Sequence, residues 1–269
     1  MSTNLAKWCK LENPWLNRLM TIHFLNCGTM RPYFPPVHNG VTCFLIETNQ
    51  GPVLVDTGFG TRDYLSPNRS MNFFLNMMRS PRDVNETAFY QVQRQGYKPE
   101  DVRHIIQTHL HLDHAGGLAD FPHAQVHVLR AEHDHVMSHG SWEYHAEHWA
   151  HNPNWVLHET QWEKWFDFDA IQLEGFEPEI WLVPLTGHTP GHTAVAIKQD
   201  QARPEHGRRA WVMHGGDAVP FDMKVDEVPE WITKKMLGPH LPRIREFMKI
   251  HPEVKIVGSH MGWDFYQKI

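Results

Sequence analysis

The stretch Thr108–Gly117 reads THLHLDHAGG and holds three histidines and one aspartate within six residues. His109 and His111 are two residues apart, so they would share one face of an extended chain and could chelate one metal ion together. Asp113 and His114 follow where the chain must turn, and there they would reach a second ion. The alanine and two glycines that come next permit such a tight turn. This run predicts a metal centre if other parts of the chain supply further ligands.

Three further candidate ligands follow predicted strands in the second half of the chain. His192 lies behind a Pro-Gly turn, Asp217 follows two glycines, and His260 comes directly after the run VKIVGS. Loops at strand ends, held by a rigid sheet, are where binding sites are usually built. Five histidines and two aspartates are together enough to hold two Zn²⁺ ions that share one carboxylate and one water-derived oxygen.

The composition limits the classes of protein to be considered. The 269 residues fit one sizeable globular domain, and the net charge of −6 argues against nucleic acid as the main partner. No apolar run approaches the roughly 18–20 residues of a membrane span, and the N-terminus lacks the apolar core of an export signal. Cys9, Cys27 and Cys43 form no C-x-x-C pair, which favours a reducing compartment. The sequence thus predicts a cytoplasmic protein that acts on a small molecule, without a membrane or nucleic-acid partner.

Short apolar runs bounded by turn residues alternate with a few helical patterns. The predicted strands are 19–27, 41–48, 51–58, 101–108, 124–129, 179–186, 193–198, 209–214 and 254–259. The predicted helices are 83–95 with Asp83 as its N-cap, one that begins near Arg130, and one near 240–250. This many strands with interposed helices favour two mixed sheets packed face to face with helices outside. We expect a single domain over residues 1–269, with 59–82 and 131–168 as cap or lid insertions.

The two expected insertions leave alternatives open. Residues 59–82 would form a substrate lid, a helix packed on the core or a dimer contact; their apolar side chains are Phe73, Phe74, Leu75, Met77 and Met78. Residues 131–168 would pack an irregular cap or line a pocket mouth; their tryptophans are Trp142, Trp149, Trp155, Trp162 and Trp165. An extra metal ion in this segment is the less favoured interpretation; its candidate ligands are His133, His135, His145 and His148.

The motifs together resemble those of the metallo-β-lactamase-fold hydrolases. The run 109–114 matches the H-x-H-x-D-H signature of that superfamily, and Asp56 in VDTG matches its first motif. The downstream ligands of the superfamily match His192, Asp217 and His260. The resemblance covers about residues 20–265 and implies an α/β fold, an αβ/βα four-layer sandwich of two mixed β-sheets with helices outside.

The same resemblance implies a role for each candidate residue. One metal ion would be held by His109, His111 and His192, and the other by Asp113, His114 and His260. Asp217 would bridge the two ions. Asp56 would orient ligands without binding metal, as such sites require, and His188 would be a supporting residue. The expected cofactor is Zn²⁺, two ions per chain, with iron or manganese as alternatives in place of zinc.

This ligand set predicts a dinuclear zinc hydrolase. Bound zinc lowers the pKa of water from about 15.7 to about 7, so a bridging hydroxide would attack the carbonyl of a lactone or carboxylic ester at neutral pH. The two ions would also stabilise the oxyanion, and no serine or cysteine nucleophile is needed. Asp113 is the predicted catalytic residue, which would orient the hydroxide or receive its proton.

Within the superfamily the chain is most similar to the lactonases that open N-acyl-homoserine lactones. The matching passages are 42–60, 96–117 and 185–192. Those lactonases carry a tyrosine shortly after the bridging aspartate, whereas Asp217 is followed here by AVPF, and Met261 stands where an aspartate is common. An N-acyl-homoserine lactone is therefore the favoured substrate, and the group that replaces the tyrosine is left open.

Other functions of the same ligands stay open. A thiolesterase of the glyoxalase II kind and an organophosphate triester hydrolase would use two metal ions in the same way, whereas a dioxygenase would bind a single iron. A non-catalytic binding module is disfavoured because all seven ligands are present. A homodimer is an alternative to a monomer.

Overall fold

The two halves of the chain each build one β-sheet. A computed structural model describes residues 22–33, 38–159, 163–199, 209–220 and 230–267. The strands in these residues are β1 (Ile22–Met30), β2 (Asn39–Thr48), β3 (Gly51–Val55), β4 (His104–Ile106), β5 (Gln125–Leu129), β6 (Asn154–His158), β7 (Glu163–Trp165), β8 (Phe168–Leu173), β9 (Ile180–Pro184), β10 (Thr193–Lys198), β11 (Trp211–His214) and β12 (Val254–Val257). The α-helices are α1 (Thr61–Leu65), α2 (Arg69–Met77), α3 (Ala88–Arg94), α4 (Leu112–Ala115), α5 (Arg130–Ser138), α6 (Glu230–Leu237), α7 (Leu241–Ile250) and α8 (Trp263–Tyr266).

Both sheets have six strands and combine parallel with antiparallel pairs. The order is β1-β2-β3-β4-β5-β6 in the first sheet and β12-β11-β10-β9-β8-β7 in the second. In the first sheet β1 to β3 are antiparallel and β3 to β6 are parallel. In the second sheet the pair β11–β12 is parallel and the remaining pairs are antiparallel. The two mixed sheets that the sequence predicts are confirmed.

Strand β2 shows why the sheets stack, because it is apolar on both faces. Phe44 and Ile46 are fully buried in a cluster with Leu182 of the second sheet. The alternating residue Leu45 is fully buried on the other face, in a cluster that includes Val92 of α3. Side chains of α7 join the outer face of the second sheet in a further cluster. The layers are therefore helix, sheet, sheet and helix, as predicted.

The predicted strand 51–58 ends early, at Val55, because the backbone turns at Asp56. Asp56 has φ = +58°, a left-handed conformation that aspartate adopts more readily than most residues. Its amide donates to the carbonyl of Ile106 at 2.9 Å, so the turn stays tied to the end of β4. This turn brings the Asp56 carboxylate to the loops that leave the sheet.

The helix predicted over 83–95 is broken into two parts. Asp83 caps only a 3₁₀ turn, where its side chain accepts the Asn85 amide, and Thr87 then has extended backbone angles. The helix α3 begins after Thr87 and buries Ala88 and Val92, as their four-residue spacing predicts. The break lies beside Glu86, whose carboxylate accepts both the amide and the hydroxyl of Thr29 in β1.

The segment 131–168 supplies strands to the sandwich, where the sequence predicts an inserted cap. It forms most of α5, the edge strand β6 of the first sheet and the edge strand β7 of the second. Trp165 is buried against α7, Trp142 is 63% exposed, and Trp162 lies outside the described residues. Over the ranges that the structure describes, the histidines of this segment join no cluster of three ligand atoms.

Residues 59–82 form α1 and α2. Helix α2 buries Met71, Phe74 and Leu75 and exposes Phe73 and Met77. This amphipathic pattern fits the alternative of a helix packed on the core. The ring of Phe74 also lies near that of Trp142, with 6.4 Å between centroids, so the two segments meet.

Two predictions made from the composition concern the cysteines and membrane-spanning segments. Cys27 and Cys43 are buried free thiols, whereas Cys9 lies outside the described ranges. Among the described helices, none combines the length and the apolar character needed to cross a lipid bilayer.

Candidate metal centre

The predicted ligand cluster forms where the chain leaves β4. His111 has extended backbone angles, and α4 then makes a single helical turn that carries Asp113 and His114. The ring of His109 lies 4.6 Å from that of His111 and 4.1 Å from that of His114, centroid to centroid. The structure thus places the turn where the two glycines predict it and brings the three histidines together.

His114 is held in an orientation typical of a metal ligand. It is fully buried, and its Nδ1 lies 2.9 Å from Oδ2 of Asp56. Asp56 also accepts the amide and the hydroxyl of Thr108, each at 2.8 Å. The other ring nitrogen, Nε2, is buried without a hydrogen bond and lies 3.2 Å from Oδ1 of Asp217. Metal-binding histidines commonly bond their second nitrogen to a carboxylate, so this pair fits a metal ion at Nε2.

Asp217 lies at the middle of the cluster. Its Oδ1 is 3.3 Å from Nε2 of His260 as well as 3.2 Å from Nε2 of His114. Its Oδ2 is 3.3 Å from Nε2 of His188. Ser259, next to His260 in the chain, donates its hydroxyl to Oδ1. The two oxygens of one carboxylate therefore face different histidines.

The structure groups the candidate ligand atoms into three overlapping sets, in each of which all atoms lie within 4.8 Å of one another. These sets are His109 with His111 and His188, His109 with His114 and Asp217, and Asp113 with His114 and His260. Six of the seven predicted ligands are therefore brought together. The seventh, His192, is in none of these sets, and His188 takes its place.

The structure places His188, the predicted supporting residue, in one of these sets, and His192, a predicted ligand, outside them. His188 Nε2 lies 3.0 Å from Nδ1 of His111, and its Nδ1 donates to the Met236 carbonyl. His192 is fully buried; its Nδ1 donates to the Leu185 carbonyl at 3.1 Å and its Nε2 accepts the Asp217 amide at 2.9 Å. Both nitrogens of His192 are thus used within the protein.

His192 lies at the start of β10. It directly precedes that strand, and its carbonyl accepts the Leu185 amide at 3.0 Å, while its ring lies 5.3 Å from that of His109, centroid to centroid. Gly216 packs against the ring, since a Cβ at Gly216 would lie 2.4 Å from Nε2 of His192. His188 lies in the loop before the Pro-Gly turn and can reach the cluster.

Burial and charge set the protonation of the cluster. Burial and the neighbouring histidines lower the pKa of His109 well below its ordinary value. Burial would lower the pKa of His114 too, but the carboxylates of Asp217, Asp113 and Asp56 raise it well above its ordinary value. Neighbouring histidines hold the pKa of Asp217 well below its usual range, against the effect of burial. A divalent cation could replace the proton on His114 and neutralise the same carboxylates.

Two further residues near the cluster were missed by the motif analysis. The ring of Tyr144 lies 5.0 Å from that of His111, and the fully buried Glu132 accepts the amide of Leu110. Both come from the segment 131–168, which folds back over the ligand loop. Neither lies in a metal-ligand motif, so their proximity follows only from the tertiary structure.

Known proteins are similar to this chain in sequence and in fold. Residues 37–203 match the model of a protein family described as "Metallo-beta-lactamase superfamily". A probable metallo-hydrolase of Mycobacterium tuberculosis is 38% identical over 264 residues, covering 91% of this chain and 81% of that protein. An N-acyl homoserine lactonase of Bacillus cereus is 32% identical over 163 residues, 60% of each chain. A solved structure of an N-acyl homoserine lactone hydrolase with the product N-hexanoyl-L-homoserine bound at its catalytic metal centre is 24% identical, with a TM-score of 0.67 over 92% of this chain and 95% of that one.

The superfamily match extends over more than half of the chain and includes the H-x-H-x-D-H run and both histidines of GHTPGH. The mycobacterial relative is similar along most of the length. The two mixed sheets agree with the fold of the lactone hydrolase structure. This chain therefore belongs to the metallo-β-lactamase superfamily and is a metal-dependent hydrolase.

Proposed function

We propose that this chain binds two divalent metal ions, zinc in the favoured case, and opens the ester bond of an N-acyl-homoserine lactone or a related lactone. The position of the Asp217 carboxylate carries this proposal. Its Oδ1 faces His114 and His260 at 3.2 and 3.3 Å, whereas its Oδ2 faces His188 at 3.3 Å. A carboxylate that presents each oxygen to a different group of imidazoles suits a bridge between two ions.

The proposed ligand sets follow from the observed groups. The first ion would be held by His109, His111 and His188, and the second by Asp113, His114 and His260, with Asp217 shared. In this assignment His192 is not a ligand but fixes the backbone of Asp217. Imidazole nitrogens with carboxylate oxygens suit zinc, and iron or manganese is compatible with the same donors.

Divalent ions bound there would polarise a carbonyl oxygen and lower the pKa of water toward neutrality. Asp113, a proposed ligand of the second ion, would also handle a proton through its carboxylate, whose Oδ2 lies 3.6 Å from His260 Nε2 and 4.0 Å from His114 Nε2. We propose that this carboxylate accepts the proton lost by the attacking water and returns it to the alkoxide of the opened ring. Water and lactone are thereby converted to one hydroxy acid.

The lactone substrate is proposed from similarity to the lactonases. The matching passages include the ligand runs 96–117 and 185–192, and the Bacillus cereus lactonase is 32% identical over 163 residues. Shortly after the bridging aspartate, those lactonases carry a tyrosine. In this chain Ala218, Val219 and Pro220 follow Asp217, and all three are buried. Tyr144, in the segment 131–168, is an aromatic residue near the centre, since its ring lies 5.0 Å from that of His111, centroid to centroid.

The proposal is tested by turnover of purified, metal-quantified protein on a defined set of substrates. The set contains a short and a long N-acyl-homoserine lactone, an aryl ester, a thioester and a phosphate triester. We expect two divalent ions per chain and faster opening of a lactone than of the other substrates. Preferred cleavage of the thioester or the triester would replace the lactone by that substrate class, and a single iron without hydrolysis would contradict the proposal.

A further inference from the structure

Glu132 is a buried carboxylate that the proposed chemistry does not use. It lies in the first turn of α5, directly after β5, and is 0% exposed. Its Oε1 accepts the Leu110 amide at 3.0 Å, and its Oε2 accepts the Thr189 hydroxyl at 2.6 Å and the Gly191 amide at 3.1 Å. A buried carboxylate is costly unless it is paired or hydrogen-bonded, and these three donors satisfy it.

The three donors belong to the two loops that carry the proposed first metal ion. Leu110 stands between His109 and His111, and Thr189 directly follows His188. The two loops come from different sheets, since the first follows β4 and the second joins β9 to β10. One side chain therefore ties together two segments that are 77 residues apart when counted from His111 to His188.

The same contact explains residues of the GHTPGH run that are not ligands. A Cβ on Gly191 would lie 2.1 Å from the backbone nitrogen of Glu132 and 2.6 Å from its Cα, so only glycine allows the loop to approach α5 this closely. Thr189 supplies the hydroxyl and is 2% exposed. The threonine and glycine of the run thus both serve the Glu132 carboxylate.

We infer that Glu132 is a positioning residue of the metal centre, which holds the loop of His109 and His111 against the loop of His188. The inference rests on the proposed function, because it assumes that these three histidines share one ion. Glu132 acts through the backbone of the two loops and does not itself touch the cluster of ligand atoms. Its loss would let the two loops separate and weaken the first ion more than the second.

Three variants separate this role from a general contribution to stability. Glu132→Gln keeps the shape but turns an amide NH₂ toward a donor, so at least one of the three hydrogen bonds is lost. Thr189→Val removes the hydroxyl at nearly constant volume, and Thr189→Ser restores it. Glu147→Gln is the matched control, because Glu147 lies in the same segment and its ion pair with Arg62 is exposed.

The readouts are hydrogen exchange of the metal-free protein and Zn²⁺ affinity from competition with a chelator. We expect faster exchange in peptides that cover 108–112 and 187–192 for Glu132→Gln and Thr189→Val. We also expect about a 10- to 100-fold weaker affinity for one of two Zn²⁺ ions, as is typical when a residue that orients ligands is lost. Thr189→Ser and Glu147→Gln should resemble the wild type in both measurements.

The inference is overturned if Glu132→Gln and Thr189→Val fold and match the wild type in both readouts, or if Thr189→Ser loses as much as Thr189→Val. If Glu132→Gln does not fold, the two Thr189 variants decide the question. A wild-type protein that binds no Zn²⁺ would overturn the proposed function instead. The exchange measurement on the metal-free chain distinguishes the two failures, since it reports on the loops without any ion.

Discussion

The protein has two groups of neighbouring histidines, which differ in what surrounds them. His104, His127 and His158 come from the neighbouring parallel strands β4, β5 and β6, and we call them the histidine ladder. Nδ1 of His104 lies 3.0 Å from Nε2 of His127, whose Nδ1 lies 3.0 Å from Nε2 of His158. In the metal centre some imidazole nitrogens also face one another, but others lie against carboxylate oxygens, as in the pair His114 and Asp217.

The comparison shows that clustered histidines do not by themselves make a metal site. Three neutral imidazoles satisfy the ladder, because each ring can donate to the next one, and the three rings join no group of convergent ligand atoms among the described residues. Burial and the neighbouring His158 and His104 lower the pKa of His127 to about 3. In the metal centre three carboxylates raise the pKa of His114 well above its ordinary value. Acidic partners and convergence distinguish the centre from the ladder.

Among the substitutions, removal of the Asp113 carboxylate should reduce turnover most. For Asp113→Asn, loaded with excess Zn²⁺, we expect turnover of the best lactone to fall by about 10²- to 10⁴-fold, the usual contribution of a proton-transfer residue. Steady-state rates and metal content are measured on the same sample. Full turnover with both ions retained would show that Asp113 has no role in proton transfer.

The next prediction separates the two histidines of the GHTPGH run. His188→Ala should bind one Zn²⁺ ion fewer than the wild type and lose more than about 100-fold in activity, beyond the ~10- to 100-fold cost typical of residues that only orient ligands. Metal analysis by mass spectrometry after gel filtration measures the first effect. Retention of both ions would return His188 to the supporting role that the sequence analysis gives it.

His192→Gln is the matched control for that variant. Because His192 holds the Asp217 amide and the Leu185 carbonyl, we expect weaker metal affinity by about 10- to 100-fold, with both ions recovered at high Zn²⁺. Loss of one ion that excess Zn²⁺ does not restore would identify His192 as a ligand after all.

The two histidines also show how much of the candidate site the sequence can predict. The H-x-H-x-D-H run and Asp56 are found at the predicted places because local spacing and a turn determine them. Which of His188 and His192 binds metal depends on how the loop between β9 and β10 packs against the ligand run, and that packing is a tertiary property. Glu132 was missed for the same reason, since its three donors are distant in the chain.

The sequence likewise predicts some elements of the fold and misses others. The apolar run of β2 predicts a strand buried on both faces, and the structure confirms it. The segment 131–168 has no clear period, because its edge strands β6 and β7 are partly exposed and interrupted by polar loops. The helix predicted over 83–95 is broken beside Glu86, whose bonds to Thr29 are formed only once β1 is in place. Local patterns predict elements well only where no distant partner competes.

The histidine ladder should affect how the free energy of unfolding depends on pH. Because the pKa of His127 is about 3 in the folded protein and 6.5 ordinarily, the unfolded chain binds a proton that the folded one does not as the pH falls below 6.5. The folded state therefore loses stability toward pH 3 through this group. In His127→Leu the free energy of unfolding should fall less steeply on acidification, measured by urea titration of the metal-free protein between pH 7 and pH 5. Parallel curves for variant and wild type would contradict the effect, and His139→Gln is the exposed control.

The smallest effect is expected when a carboxylate is introduced into the ladder. His158→Glu would put a negative charge near Nδ1 of His127, where His158 now lies at 3.0 Å. The pKa of His127 should then rise toward its ordinary value, because an opposite charge favours the protonated ring. Nuclear magnetic resonance titration of the ring protons measures the shift. An unchanged or lower pKa would mean that carboxylates do not account for the difference between ladder and centre.

The most direct test of the central claim is a crystal structure of the Zn²⁺-loaded protein with anomalous diffraction data collected at the zinc edge. We predict two anomalous peaks, one among His109, His111 and His188 and the other among Asp113, His114 and His260, with Asp217 in contact with both. A single peak, or a peak bound by His192 and not by His188, would contradict the proposed centre.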